Sequence, residues 1–78
     1  MKVLEEDGII TYIKKRNLVK PYLKVKKYLE NDFFELVDLR KRKPKSANVF
    51  YFKIDKKYRA IGYIEANTFI VTEISDHQ

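Results

Sequence analysis

Three runs rich in β-branched and aromatic residues follow one another in residues 49–74 with almost no chain between them. They are "VFYFKI" (49–54), "YRAIGYIE" (58–65) and "TFIVTEI" (68–74). Each reads as a strand. The connections "DKK" and "AN" are short enough only for hairpins, so consecutive strands must pair antiparallel. Asn67 suits the left-handed backbone of a tight turn. This half of the chain has little choice but to form an antiparallel meander.

The first half has a different period. In "GIITYIKKR" (8–16), Ile9, Ile10 and Ile13 form one helical stripe, Asp7 is available as N-cap, and the basic residues come last, where the helix dipole favours them. In "NLVKPYLKVKKYLEND" (17–32), Leu18, Tyr22, Val25 and Leu29 recur at helical spacing while Lys20, Lys24 and Lys27 line another face. Pro21 is tolerated only in a first turn, so this second helix starts near Leu18 or Val19 and runs to about Asn31. Two helices so closely joined make a hairpin. "FFELVDL" (33–39) has no helical period, and "RKRKPKSAN" (40–48) reads as a basic loop. The expected fold is α+β, with an N-terminal helical hairpin packed on a twisted antiparallel sheet of three to four strands. "MKVL" can supply a short first strand.

Alternation within "YRAIGYIE" separates two faces. Tyr58, Ala60, Gly62 and Ile64 point one way; Arg59, Ile61, Tyr63 and Glu65 point the other. The small pair Ala60 and Gly62 admits close approach of a helix, which assigns that side to the core. Arg59 then lies on the open face among aromatic and aliphatic neighbours. An unpaired guanidinium in a dry core is too costly to occur there by accident. Two readings follow: a cross-strand ion pair with Glu73 or Glu65, or a site that receives an anion.

The charge distribution bears on that choice. Of the net +6, residues 33–60 hold nine basic against three acidic residues, a net of +6; residues 61–78 hold a net of −3, and residues 1–32 a net of +3. A basic zone beside an acidic tail is expected of a protein that meets a polyanion or an acidic partner. With no cysteine and one histidine, disulfides and thiolate or multi-histidine metal sites are excluded. Two glycines leave no phosphate-cradling loop. The start "MKVLEEDG" lacks the apolar run of a signal peptide, and no segment has the length of a membrane span. These features predict a single cytoplasmic domain over residues 1–78, with no metal or cofactor.

The order helical hairpin, basic loop, then "NVFYFKIDKKYRAIGYIEANTFIVTEISDHQ" resembles the RelE/ParE toxin superfamily of bacterial type II toxin–antitoxin systems, over essentially the whole chain. For the RelE-like branch, the resemblance implies ribosome-dependent cleavage of mRNA and neutralisation by an acidic cognate antitoxin. It implies a metal-independent reaction in which the 2′-OH of the RNA attacks the adjacent phosphate, giving a cyclic phosphate and a free 5′-OH. That reaction asks for a base, an acid and cations around the phosphate.

Arg59 matches the strand arginine of the family, and its planar fork suits two phosphate oxygens. His77 stands where related toxins place a catalytic His, Arg or Tyr, though so near the end it also reads as a solvated tail. Asp76 either orients that imidazole or is an ordinary surface carboxylate. Lys43 and Lys45 carry an expectation of proton transfer or charge stabilisation. Arg40, Lys41, Arg42 and Lys53 would meet RNA phosphates; the run from Arg40 also reads simply as a solvated loop. Tyr51 and Tyr63 either stack on bases or belong to the core. The tail "SDHQ" offers a thinner set than a full RelE-type site, which leaves open a ParE-like gyrase inhibitor or a non-catalytic module that binds nucleic acid or protein.

Overall fold

A computed structural model describes residues 1–76. The elements in chain order are β1 (Lys2–Glu5), α1 (Ile9–Lys15), α2 (Val19–Glu30), a 3-10 turn (Phe34–Val37), β2 (Arg40–Lys41), a second 3-10 turn (Lys45–Ala47), β3 (Phe50–Lys53), β4 (Tyr58–Glu65) and β5 (Thr68–Asp76). The fold is α+β, with two helices and one five-stranded sheet in the order β1-β5-β4-β3-β2. No helix among the described residues is long and apolar enough to cross a membrane.

Three features correct the expected arrangement. The sheet has five strands and is mixed: the first strand that "MKVL" could supply forms as β1 and runs parallel to β5, with Val3 opposite Phe69 and Leu4 opposite Ile70. Strand β2 comes from the run read as a loop. Its two residues pair antiparallel with Tyr51 and Phe50, and the Arg42 amide donates to the Val49 carbonyl at 2.6 Å. The third feature is the start of α1, where Gly8 takes the cap position that Asp7 was expected to fill. The tight reversal after β1 needs φ of 91° there, a conformation that costs glycine little.

Both helices stop by the same device. After α1, Asn17 adopts φ of 57°; its amide donates to the Lys14 carbonyl and that of Leu18 to Ile13. After α2, Asp32 adopts φ of 63°; its amide donates to Leu29 and that of Phe33 to Tyr28. These are Schellman closures, and each carries the usual apolar contact. Leu18 and Ile13 are buried in the core, and Phe33 meets Tyr28 edge-on at 6.5 Å.

Ile9, Ile13, Leu18, Tyr22, Val25 and Leu29 pack with Val37 against Phe52, Ala60, Phe69, Val71 and Ile74 of the sheet. Ala60 is fully buried, as its assignment to the helix-covered face requires. Tyr22 is 1% exposed, and its hydroxyl donates to Glu5 Oε2, which also accepts from Lys26 Nζ at 2.8 Å. Burial, and then the bond to Glu5, hold the Tyr22 phenol well above the ordinary tyrosine range.

The small residue at position 62 has a different cause from the one expected. The nearest atoms that a Cβ there would meet belong to the neighbouring strand. Such a Cβ would strike the Ile70 carbonyl and stand 2.8 Å from Phe69 Cε1. The pairing of β4 with β5 slips at this point: Gly62 faces Val71, but Ile61 faces Glu73, which leaves Thr72 as an extra residue in β5. The Thr72 hydroxyl donates to the Ile61 carbonyl at 3.3 Å. This bulge lets Phe69 and Val71 on one side of it and Ile74 on the other share the core face.

Candidate functional site

The face of the sheet away from the helices is assembled row by row from strand register. β4 presents Arg59 and Ile61 there, β3 sets Lys53 opposite Arg59 and Tyr51 opposite Ile61, and β5 sets Ser75 opposite Arg59. β2 adds Arg40 opposite Tyr51. Together with the chain that follows β2, these strands wall a cleft of about 630 Å³ lined by Arg40, Lys41, Arg42, Lys43, Tyr51, Arg59, Ile61 and Ser75.

Arg59 sits at the centre of the arrangement. Its Cζ lies 4.8 Å from the centroid of the Tyr51 ring, a cation–π contact. Among the described residues it forms no ion pair. The carboxylates considered for it are misplaced: Glu73 stands opposite Ile61, one step along β5, and Glu65 stands opposite Thr68 at the far end of β4.

The remaining cations divide by their partners. Arg40 Nε donates to Asp38 Oδ1 at 2.8 Å, and Lys53 Nζ lies 3.5 Å from Asp38 Oδ2. The bond from Arg40 holds the Asp38 carboxyl below its usual range, and Asp38 in turn raises Arg40. Lys41 Nζ lies 5.6 Å from the centroid of the Phe50 ring. Lys41, Arg42 and Lys43 form no ion pairs among the described residues. Lys41 stands opposite Phe50, whose ring packs on the core, so its ammonium lies toward the helix-covered side; Arg42 and Lys43 line the cleft beside Arg59 with little internal compensation, a setting that attracts anions.

Six of the ten residues singled out in the sequence are brought together here: Arg40, Lys41, Arg42, Lys43, Tyr51 and Arg59. Lys53 shares the face but is drawn toward Asp38. Tyr63, half-buried, stands opposite Ile70 and outside the cleft lining. Lys45 opens the second 3-10 turn, two positions past Lys43. His77 lies outside the described residues. Asp76, considered as its orienting partner, pairs with Lys57 at 3.7 Å.

Ile61 lines the cleft beside Arg59, on the face where alternation placed it. Ser75 lines it without having been expected there, because its facing depends on the extra residue at Thr72.

These features define a class: an α+β domain whose mixed sheet carries a basic, aromatic-floored cleft on the face away from its helices. Compared with models of protein families and with curated proteins, the chain matches none.

Proposed function

We propose that this chain is a RelE-like toxin, a cytoplasmic mRNA endoribonuclease that works on the ribosome and is silenced by an acidic antitoxin. The observation that carries the reading is Arg59: a guanidinium with no carboxylate partner among the described residues, set against an aromatic ring in a cleft of basic side chains. The register holds Glu73 and Glu65 away from it, which leaves its fork available to phosphate oxygens.

In the proposed reaction, Arg59 holds the non-bridging oxygens of the scissile phosphate while the 2′-oxygen attacks and the 5′-oxygen departs. Negative charge grows on those oxygens in the transition state, and fixed cations favour it there. Lys43, Lys45 and His77 are the candidates to remove the 2′-OH proton and return one to the leaving oxygen. Arg42 tracks the flanking backbone. The acidic antitoxin covers the same face, where Leu4, 56% exposed, lies in one row with Ile70 and Tyr63 beside the cationic cleft.

The test is primer extension on mRNA in a ribosome-containing translation mixture. New 5′ ends that depend on both the protein and the ribosome support the reading; intact message at translation-blocking concentrations refutes cleavage.

A second reading has one observation in its favour. The cleft lining holds arginine, lysine, tyrosine, isoleucine and serine, a set suited to gripping a polyanion without cutting it. Protection of RNA in the cleft without new ends would select that reading.

A further inference from the structure

The contact between Arg59 and Tyr51 says more about the cleft than its charge does. Tyr51 has no free choice of position: its backbone is locked between Arg40 on β2 and Ile61 on β4, and the alternation of β3 fixes which face its ring occupies. Arg59 reaches that ring from the neighbouring register row, where its own flanks are Lys53 and Ser75. Lys53 repels the guanidinium, and Ser75 offers at most one hydroxyl. Among the described residues, Tyr51 is thus the contact that restrains Arg59. The ring face that carries the guanidinium is closed to a nucleobase.

We propose that Tyr51 is a positioning residue that acts on the ligand through Arg59. Its ring holds the guanidinium so that the cleft grips a nucleic acid by its sugar–phosphate chain and not by its bases. The inference rests on the proposed function, since it takes a nucleic acid to be the ligand. It differs from the base-stacking role that an exposed tyrosine on a sheet ordinarily invites. Two properties follow. Binding is indifferent to whether bases are present, and the effect of changing Tyr51 exists only while Arg59 is there to be held.

The experiment measures affinity by fluorescence anisotropy for a short labelled 2′-O-methyl single strand, which cannot be cleaved by 2′-OH attack, and for an abasic strand of the same length. Tyr51→Leu is expected to weaken both about three- to fivefold, the usual scale of an exposed cation–π contact. Tyr51→Phe, which keeps the ring, should stay within about twofold of the parent by the same argument. In an Arg59→Ala background, Tyr51→Leu should have no further effect, because residues acting through one another are non-additive.

Should the leucine variant fail to fold, Tyr51→Thr replaces it, a strand former without a ring. A loss confined to the base-bearing strand, or an equal loss with and without Arg59, overturns the inference while leaving the proposed function standing. A parent protein that binds neither strand overturns this inference, while the proposed function is decided separately by ribosome-dependent cleavage in the primer-extension assay.

Discussion

Replacing Gly62 with alanine adds one methyl group at the tightest point of the sheet. Its Cβ would stand 2.8 Å from the Ile70 carbonyl carbon and 2.8 Å from Phe69 Cε1, and nearer still to the Ile70 oxygen. Favourable carbon contacts lie at roughly 3.5–4.0 Å, so the neighbours must move by more than half an ångström. Neither can do so cheaply. The Ile70 carbonyl is part of a paired strand, and the Phe69 ring is fully buried, locked edge-on against Phe52 with centroids 5.0 Å apart. Overpacking a core ordinarily costs about 1–3 kcal/mol. With two rigid walls we expect the top of that range, about 3 kcal/mol. In a domain of this size each kcal/mol moves the melting temperature by about 4–8 °C, so Tm should fall by about 12–24 °C.

Gly8 supplies the contrast. A Cβ there meets nothing within 4 Å, and the cost arises only from φ of 91°. Gly8→Ala should cost about 1–2 kcal/mol, and Gly8→Asn less, because asparagine tolerates left-handed backbone. Thermal melts followed by circular dichroism on the three variants test the argument. A Gly62→Ala protein that melts within a few degrees of the parent would refute it, since it would mean that the bulge relaxes freely.

Arg59→Ala should leave the melt within a few degrees of the parent, because loss of the Tyr51 contact is offset by relief of crowded positive charge. Cleavage in the primer-extension assay should meanwhile fall by about two orders of magnitude, with Arg59→Lys recovering only part. An alanine variant that melts much lower yet cleaves normally would make Arg59 structural. Neutralising Lys41, Arg42 and Lys43 together should flatten the salt dependence of RNA binding without unfolding the domain; an unchanged salt slope would return the run to a solvated loop. Tyr22 gives a pH signature. Its phenol stays protonated in the folded chain above pH 10, where the unfolded chain ionises, so its contribution is full below about pH 10 and is lost above it, by at most about 1.4 kcal/mol per pH unit. Denaturant titrations at about pH 9 and 11 should show the parent losing more stability than Tyr22→Phe; equal losses would contradict the assignment.

Much of this fold was legible because its strongest signals are local. The spacing of Leu18, Tyr22, Val25 and Leu29 placed α2 within a residue of its observed ends, and alternation put Ala60 in the core and Arg59 on the opposite face. What escaped was set by distant parts of the chain. β2 is two residues long and exists because β3 offers an edge, so "RKRKPKSAN" carries no strand pattern of its own. The parallel partner of β1 is the last strand, which nothing in "MKVL" announces. Counting back from the "AN" turn, uninterrupted pairing would set Ile74 opposite Arg59. The actual partner is Ser75, one place further on. An extra residue leaves no mark in composition, which is why Ser75 was missing from the expected site while Arg40, Tyr51 and Arg59 were in it. The role of Gly62 was misjudged for the same reason: its smallness serves the neighbouring strand at the bulge.

The extra residue at Thr72 also gives this stretch an unusual response to insertions and deletions. A substitution at Thr72 alters one half-buried side chain. Its removal would close the gap in the ladder and leave every partner in place: Glu73 would still face Ile61, Ile74 would stay in the core opposite Ala60, and Ser75 would stay on the cleft face opposite Arg59. Removing a residue from the regular part of β5 would instead shift one flank by one position and exchange its two faces. Over evolutionary time, β5 can therefore lose a residue between Val71 and Ile74 and keep both its core row and its cleft row.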